Sequence, residues 1–242
     1  MGLVAALLVV YDEVSADLWQ AGVWWDVAWI ALVLVPLTFS LVLLALPLRE
    51  ARGLPATGAA FAILAGVLTA ADFDVFANLA RLAAATLIAW FFLSFFEALS
   101  WTVLIACIIP IVDSLSVWRG PTKQIVSHHE HVFDVLSFAF PVPGEHAAAN
   151  LGIPDLLFFA LFLGAAARFG LRVLPTFVCL VAGIGLTIAA TVAFDVSGLP
   201  ALPGIALGYL VPNVDLIWPR LRGQAGTGDR LDVAVDRPAN DL

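Results

Sequence analysis

The chain has 242 residues, 62% hydrophobic and 12% charged, with a mean hydropathy of +1.01. A soluble domain carries about 25% charge, so a water-soluble globule is excluded and the expected fold class is all-α, a polytopic transmembrane helix bundle. The net charge of −8 argues for no nucleic-acid partner and leaves the lipid bilayer as the surrounding medium.

In chain order, residues 1–26 form an N-terminal interfacial segment. Met1–Val10 is apolar, but ten residues of helix rise only ~15 Å, about half a bilayer. With no basic start and no small-residue cleavage pattern, it is not expected to be a cleaved signal. About seven clear spans follow, at 27–47, 56–73, 76–96, 98–117, 151–170, 173–194 and 199–218. Trp24, Trp25, Trp29, Trp101, Trp118 and Trp218 fall near span ends, as aromatic belts do. Between Leu82 and Val112 the only charge is Glu97. One helix over that run would be ~46 Å long, too long for a ~30 Å core, so two helices with a tight turn near Glu97–Ser100 are predicted.

These spans divide the chain into a membrane half at 27–117, a connecting loop at 118–150, a second membrane half at 151–218, and a tail at 219–242. The tail is rich in Gly, Asp, Arg and Pro, with little to bury, and is expected to be disordered. Seven spans put Arg49, Arg52, Arg168, Arg172, Arg220, Arg222, Arg230 and Arg237 on one side. Arg81, Arg119 and Lys123 fall on the other. The positive-inside rule then places the C-terminus in the cytoplasm and the 118–150 loop outside.

Acids inside spans are functional candidates by default. Asp113, in "IIPIVDSLSVWRGP", precedes Trp118 and Arg119 by about one and a half turns, which submerges it by ~8 Å. Asp155, in "LGIPDLLFF", opens an otherwise apolar run after Asn150. The fourth span runs toward the connecting loop and the fifth away from it, so the two carboxylates sit at similar depth near one face. A level pair on neighbouring helices can share one proton. One then activates a water while the other polarises a carbonyl, the chemistry of aspartic proteolysis. The plain alternative is that each acid caps a helix end or marks an interface. On the same face, "SGLPALPGIALGYL" opens the last span. Pro200 and Pro203 disrupt helical bonding and leave carbonyls able to pair with an extended substrate; the alternative is an ordinary proline-marked helix start.

Together these stretches resemble the presenilin and signal peptide peptidase family of intramembrane aspartyl proteases. That family carries one catalytic Asp in a Tyr-Asp context, a second in Gly-x-Gly-Asp, and a Pro-Ala-Leu motif. Asp113 matches the first, with Gly120–Pro121 after it. Asp155 matches the second, with Gly152 in place, and Pro200, Ala201 and Leu202 match the third. The similarity covers about residues 97–218, in a chain shorter at its N-terminus than the nine-helix family. Val112 stands where the family has tyrosine, and Pro154 where it has the second glycine. The resemblance implies Asp113 and Asp155 as catalytic residues. It implies Gly152, Pro200, Ala201 and Leu202 as substrate-binding residues, and transmembrane peptides as substrates. Two other readings stay open: a catalytically silent relative that binds membrane helices, suggested by Pro154 and Val112, and a proton-coupled transporter. The Pro-Ala-Leu segment and the lack of an internal repeat speak against the transporter.

No cofactor and no metal are expected. "SHHEHVFD" holds His128, His129, Glu130 and His131, with His146 nearby, but no HExxH spacing, and reads as a solvated loop. Asp72, Glu97, Asp195 and Asp215 read as span-end residues, Asp195 on the face of the acid pair. "GIGL" at 183–186 suggests close helix packing. Cys107 and Cys179 read as small core residues with no disulfide pattern.

Overall fold

In the computed structural model, the described residues are 1–20, 22–119 (117–119 by backbone alone), 137–145, 148–196 and 199–222. The order is α1 (Gly2–Ser15), α2 (Val23–Trp29), α3 (Val35–Ala45), α4 (Leu54–Ala70), α5 (Asp74–Ser94), α6 (Leu99–Arg119), β1 (Ser137–Pro141), β2 (Ala148–Gly152), α7 (Ile153–Arg168), α8 (Val173–Ala193), α9 (Leu202–Leu210) and α10 (214–222). A π-helical turn at Ile30–Leu34 joins α2 to α3. It lies just ahead of Pro36, whose missing N–H frees a carbonyl one turn earlier, a common cause of such turns.

Four helices among the described residues are long and apolar enough to cross a membrane: Val23–Leu48, Asp74–Ser94, Leu99–Ser116 and Val173–Ala193. The chain is thus a helical membrane protein, and the expectation of seven full spans is corrected. The α4 helix has 17 residues and stops where Asp72 adopts a left-handed φ of 57°, a conformation aspartate tolerates better than most residues. Residues 151–152, expected to open a span, belong to β2, which leaves α7 with 16 residues. The last apolar run breaks at a 3-10 turn, Val211–Asn213, where Pro212 cannot supply a helical N–H. The predicted division of 76–117 does occur: α5 ends at Ser94 and α6 begins at Leu99.

The all-α expectation is also corrected. Within the stretch read as a connecting loop, β1 and β2 form an antiparallel pair with Ser137 opposite Gly152 and Pro141 opposite Ala148. "SFAFP" places Phe138 and Phe140 on one face by strand alternation; both are buried, with ring centroids 4.8 Å apart. The loop residues 120–136, with His128, His129 and His131, lie outside the described residues, as do His146 and the tail from 223.

The α7 helix is the centre. Phe159, Ala160, Phe162, Leu163, Ala165 and Ala166 have no exposed surface, and an apolar helix buried on several sides belongs in the core. It packs on α5, α8 and α9, and the Phe159 ring sits 4.0 Å from that of Phe39 on α3. Lipid is as apolar as leucine, so such helices associate through close packing and polar contacts. Trp90 on α5 shows both: its Nε1–H donates to the Ala160 carbonyl at 3.1 Å, and Gly164 makes room for it. A Cβ at 164 would lie 2.7 Å from Trp90 Nε1. The α8–α9 contact is closer still. A Cβ on Gly204 would meet the Gly183 carbonyl oxygen at 2.7 Å, and one on Gly208 the Cys179 carbonyl oxygen at 2.7 Å, so backbone faces backbone. Cys107, expected in the core, is exposed, and Cys179 is partly buried.

Candidate active site

Asp155 is positioned by the start of α7. Gly152 is the N-cap residue, and the Asp155 carboxylate turns back toward its backbone N–H. An acid three residues past the cap reaching back to that N–H is half of a capping box, and negative charge suits the positive end of the helix dipole. Pro154 falls in the same first turn, where N–H groups have no intrahelical acceptor, so proline costs the helix no bond there. A Cβ on residue 152 would lie 3.3 Å from Asp155 Oδ2, tighter than ordinary contact. Glycine therefore gives the carboxylate its space, and Gly152 does so with an ordinary φ of −64°.

Asp113 lies on α6, beyond Pro110, and is partly buried, as is Asp155. Its Oδ2 accepts the backbone N–H of Leu202 at 3.3 Å. Leu202 is the first residue of α9, and Pro203 next to it has no N–H to offer. The Asp113 carboxylate thus occupies one of the orphan donors at a helix N-terminus. Asp155 lies within Coulombic reach of Asp113. Asp113, Asp155, Gly152 and Leu202 are therefore gathered at one end of the bundle. Ala201 is buried beside them in the core, while Pro200 precedes α9 and is partly buried.

Tyr209 binds the three supporting helices together. Its hydroxyl shares a hydrogen bond with Thr102 Oγ1 of α6 at 2.8 Å, and its ring stacks on Phe162 of α7 at 4.9 Å and 12°. One turn on, Asn213 donates to the Tyr209 carbonyl at 2.8 Å and to Thr176 Oγ1 at 2.7 Å, and accepts from the Arg172 N–H at 2.9 Å. No protein-family model matches the chain, and no curated protein matches it.

The hairpin supplies the side of the site before Asp155. On β1, the edge facing away from β2 is covered by side chains. Asn78 donates to the Ala139 carbonyl at 3.2 Å and accepts from the Ala139 N–H at 3.4 Å. Arg81 Nη1 donates to the Ser137 carbonyl at 2.9 Å, and the Tyr11 hydroxyl to the Pro141 carbonyl at 2.9 Å. Among the described residues, β2 has no third strand on its far side. Its backbone leads directly into Gly152 and Asp155.

Sequence reasoning missed these covering residues. Arg81 counted there as an interfacial charge, yet it is buried and also bonds Asn78 Oδ1 and Thr69 Oγ1. Its signal was available: an Asn and an Arg three apart inside an otherwise apolar helix need partners. Asp195, expected on the rim of the acid pair, ends α8 with a left-handed φ of 50°, as Asp72 ends α4. Among the described residues no cluster of His, Cys, Asp and Glu fit to hold a metal occurs.

Proposed function

We propose that the chain is an intramembrane aspartyl endopeptidase that hydrolyses peptide bonds of transmembrane helices or signal-peptide-like segments. The observation that carries this reading is the Leu202–Asp113 hydrogen bond, which joins the Pro-Ala-Leu segment to one acid while the second acid lies within its field. Among the described residues the Asp113 carboxyl accepts the Leu202 N–H, and the Asp155 carboxyl turns toward the Gly152 N–H. One oxygen of each is left for a shared proton and a water. One carboxylate removes a proton from that water as its oxygen attacks the scissile carbonyl carbon. The other gives its proton to the carbonyl oxygen, and collapse of the tetrahedral intermediate expels the amine as it is protonated.

A helical peptide bond is shielded by its own hydrogen bonds, so the substrate must be extended where it is cut. The far edge of β2 offers backbone pairing to an extended segment, in line with Asp155. Water reaches the acids from the same end.

The test is cleavage of a single-span model peptide by purified protein in detergent. Wild type cuts, and Asp113→Ala and Asp155→Ala each abolish cutting. Cleavage that persists without either carboxylate would sink the proposal. A second reading, a silent relative that binds membrane helices, is favoured by the structural bond Asp113 already makes to Leu202. It predicts an inert wild type that becomes active as Pro154→Gly.

A further inference from the structure

The acid pair occupies one end of the bundle; a second concavity lies at the other. The 3-10 turn after α3 (Leu46–Leu48), the start of α4 and the ends of α5 and α7 surround a cleft of about 480 Å³, within the range of small-molecule sites, about 300–1,000 Å³. Its walls include Trp90, Leu54 and Phe91, and its polar groups are Arg49, Arg168, Ser94 and Glu50.

Two guanidinium groups reach this cleft from different elements. Arg49 gives Nη2 to Glu50 at 2.8 Å and Nη1 to the Leu46 carbonyl at 3.4 Å. Its Nε is buried and has no hydrogen-bond partner among the described residues. A buried charged donor without an acceptor is costly. Arg168 Nη1 donates to the Leu93 carbonyl at the end of α5; its Nε and Nη2 have no protein acceptor among the described residues. Glu50 offsets one of the two positive charges, and the lining remains net positive. A planar guanidinium presents paired N–H groups that match phosphate oxygens. Basic clefts between membrane helices, with apolar walls beneath, suit phosphate-bearing headgroups. Arg220, which donates to the Phe169 carbonyl just past α7, adds positive charge at the same end, whereas the charge of Arg172 is offset by Asp215 at 2.7 Å.

We propose that this cleft binds a phosphate ester, gripped by the solvent-facing guanidinium N–H groups of Arg49 and Arg168. An anionic phospholipid headgroup and a soluble phosphate ester share that chemistry. The proposal is independent of the acid pair and stands whether or not the chain cleaves peptides.

The test uses the purified full chain in neutral detergent and reads the thermal unfolding midpoint against added phosphatidylglycerol, phosphatidylcholine or inorganic phosphate. Phosphatidylglycerol is expected to raise the midpoint saturably and phosphatidylcholine to leave it unmoved. Arg49→Gln and Arg168→Gln each weaken half-saturation about tenfold. Ser94→Asp places a negative charge at the rim, keeps both arginines, and weakens it similarly even if an arginine variant folds poorly. Arg52→Gln, outside the cleft, leaves it unchanged. Competition by inorganic phosphate identifies a free phosphate ester as the ligand; a response to phosphatidylglycerol alone identifies the lipid headgroup. No saturable response to either probe, or full response in both Arg49→Gln and Ser94→Asp, overturns the proposal.

Discussion

The Asp155 carboxylate turns back toward the Gly152 backbone N–H across the first turn of α7. The acid therefore has a structural task separable from any chemistry. Asparagine keeps an acceptor oxygen for that N–H and loses the ability to hold or take a proton. Asp155→Asn is expected to melt close to wild type and to cut no peptide. Asp155→Ala is expected to lose about 1 kcal/mol as well, the usual value of a cap. Thermal melts in detergent beside the cleavage assay separate the two; an Asn variant as unstable as the Ala variant removes the capping role.

Gly204 faces Gly183 without an intervening side chain, and both neighbours of a new Cβ would be backbone atoms. Backbone cannot step aside as a flexible side chain does. Gly204→Ala is expected to cost about 1–3 kcal/mol, the range for overpacking. It also displaces α9, whose first N–H holds Asp113, so cleavage should fall further than the loss of folded protein explains. Specific activity per folded molecule is the decisive readout.

Trp90 and Gly164 form a matched pair, indole against a missing methyl. Gly164→Ala alone should destabilise by about 1–3 kcal/mol. Trp90→Phe alone loses the bond to the Ala160 carbonyl, and its smaller ring opens space. The double variant is expected to be more stable than the two losses added together, by at least about 0.5 kcal/mol. Strict additivity in denaturant or thermal unfolding rejects the pairing.

Burial pushes the Asp12 carboxyl up from its ordinary value, and the Asp74 and Glu13 charges add to the shift. The folded state then binds this proton more tightly than the unfolded state does. Stability is gained as pH falls from above the folded-state pKa toward the usual carboxylate range, and lost as pH rises. The α1 helix packs on α3 and α5, so the effect belongs to its docking. Asp12→Asn should slow amide exchange across Gly2–Ser15 at neutral pH and flatten its rise between acid and neutral conditions. A variant that exchanges faster than wild type at neutral pH contradicts this.

Much of the bundle was legible because apolar runs and their interruptions are strong signals in lipid. The α5–α6 division followed from length alone, and the close approach at Gly183 from small residues. Span count failed where one residue reset the backbone: Asp72 turned left-handed, and Pro212 broke the last run. The hairpin was hidden because residues 118–150 were judged by polarity, while the alternation of Phe138 and Phe140 went unread. At the candidate site, Asp113 and Asp155 were legible as acids inside apolar runs and Leu202 from motif order, but the contact of Leu202 with Asp113 depends on how α9 crosses α6, which spacing does not encode. Asn78, Arg81 and Tyr11 act across long sequence separations, and no local pattern announces such bonds.

The two acids ride on helices with unlike neighbours. Phe159 and Phe162 on α7 are sealed inside the protein, whereas only 17% of the apolar stretch of α6 is buried. On α6, Ile108, Ile111, Val112 and Leu115 all lie exposed. Under the proposed function, a substrate helix drifting in the plane of the bilayer would meet the flank of Asp113 first and reach Asp155 only after passing it. The crowding around each carboxylate would set that order of approach, with α6 as the doorpost and α7 as the back wall.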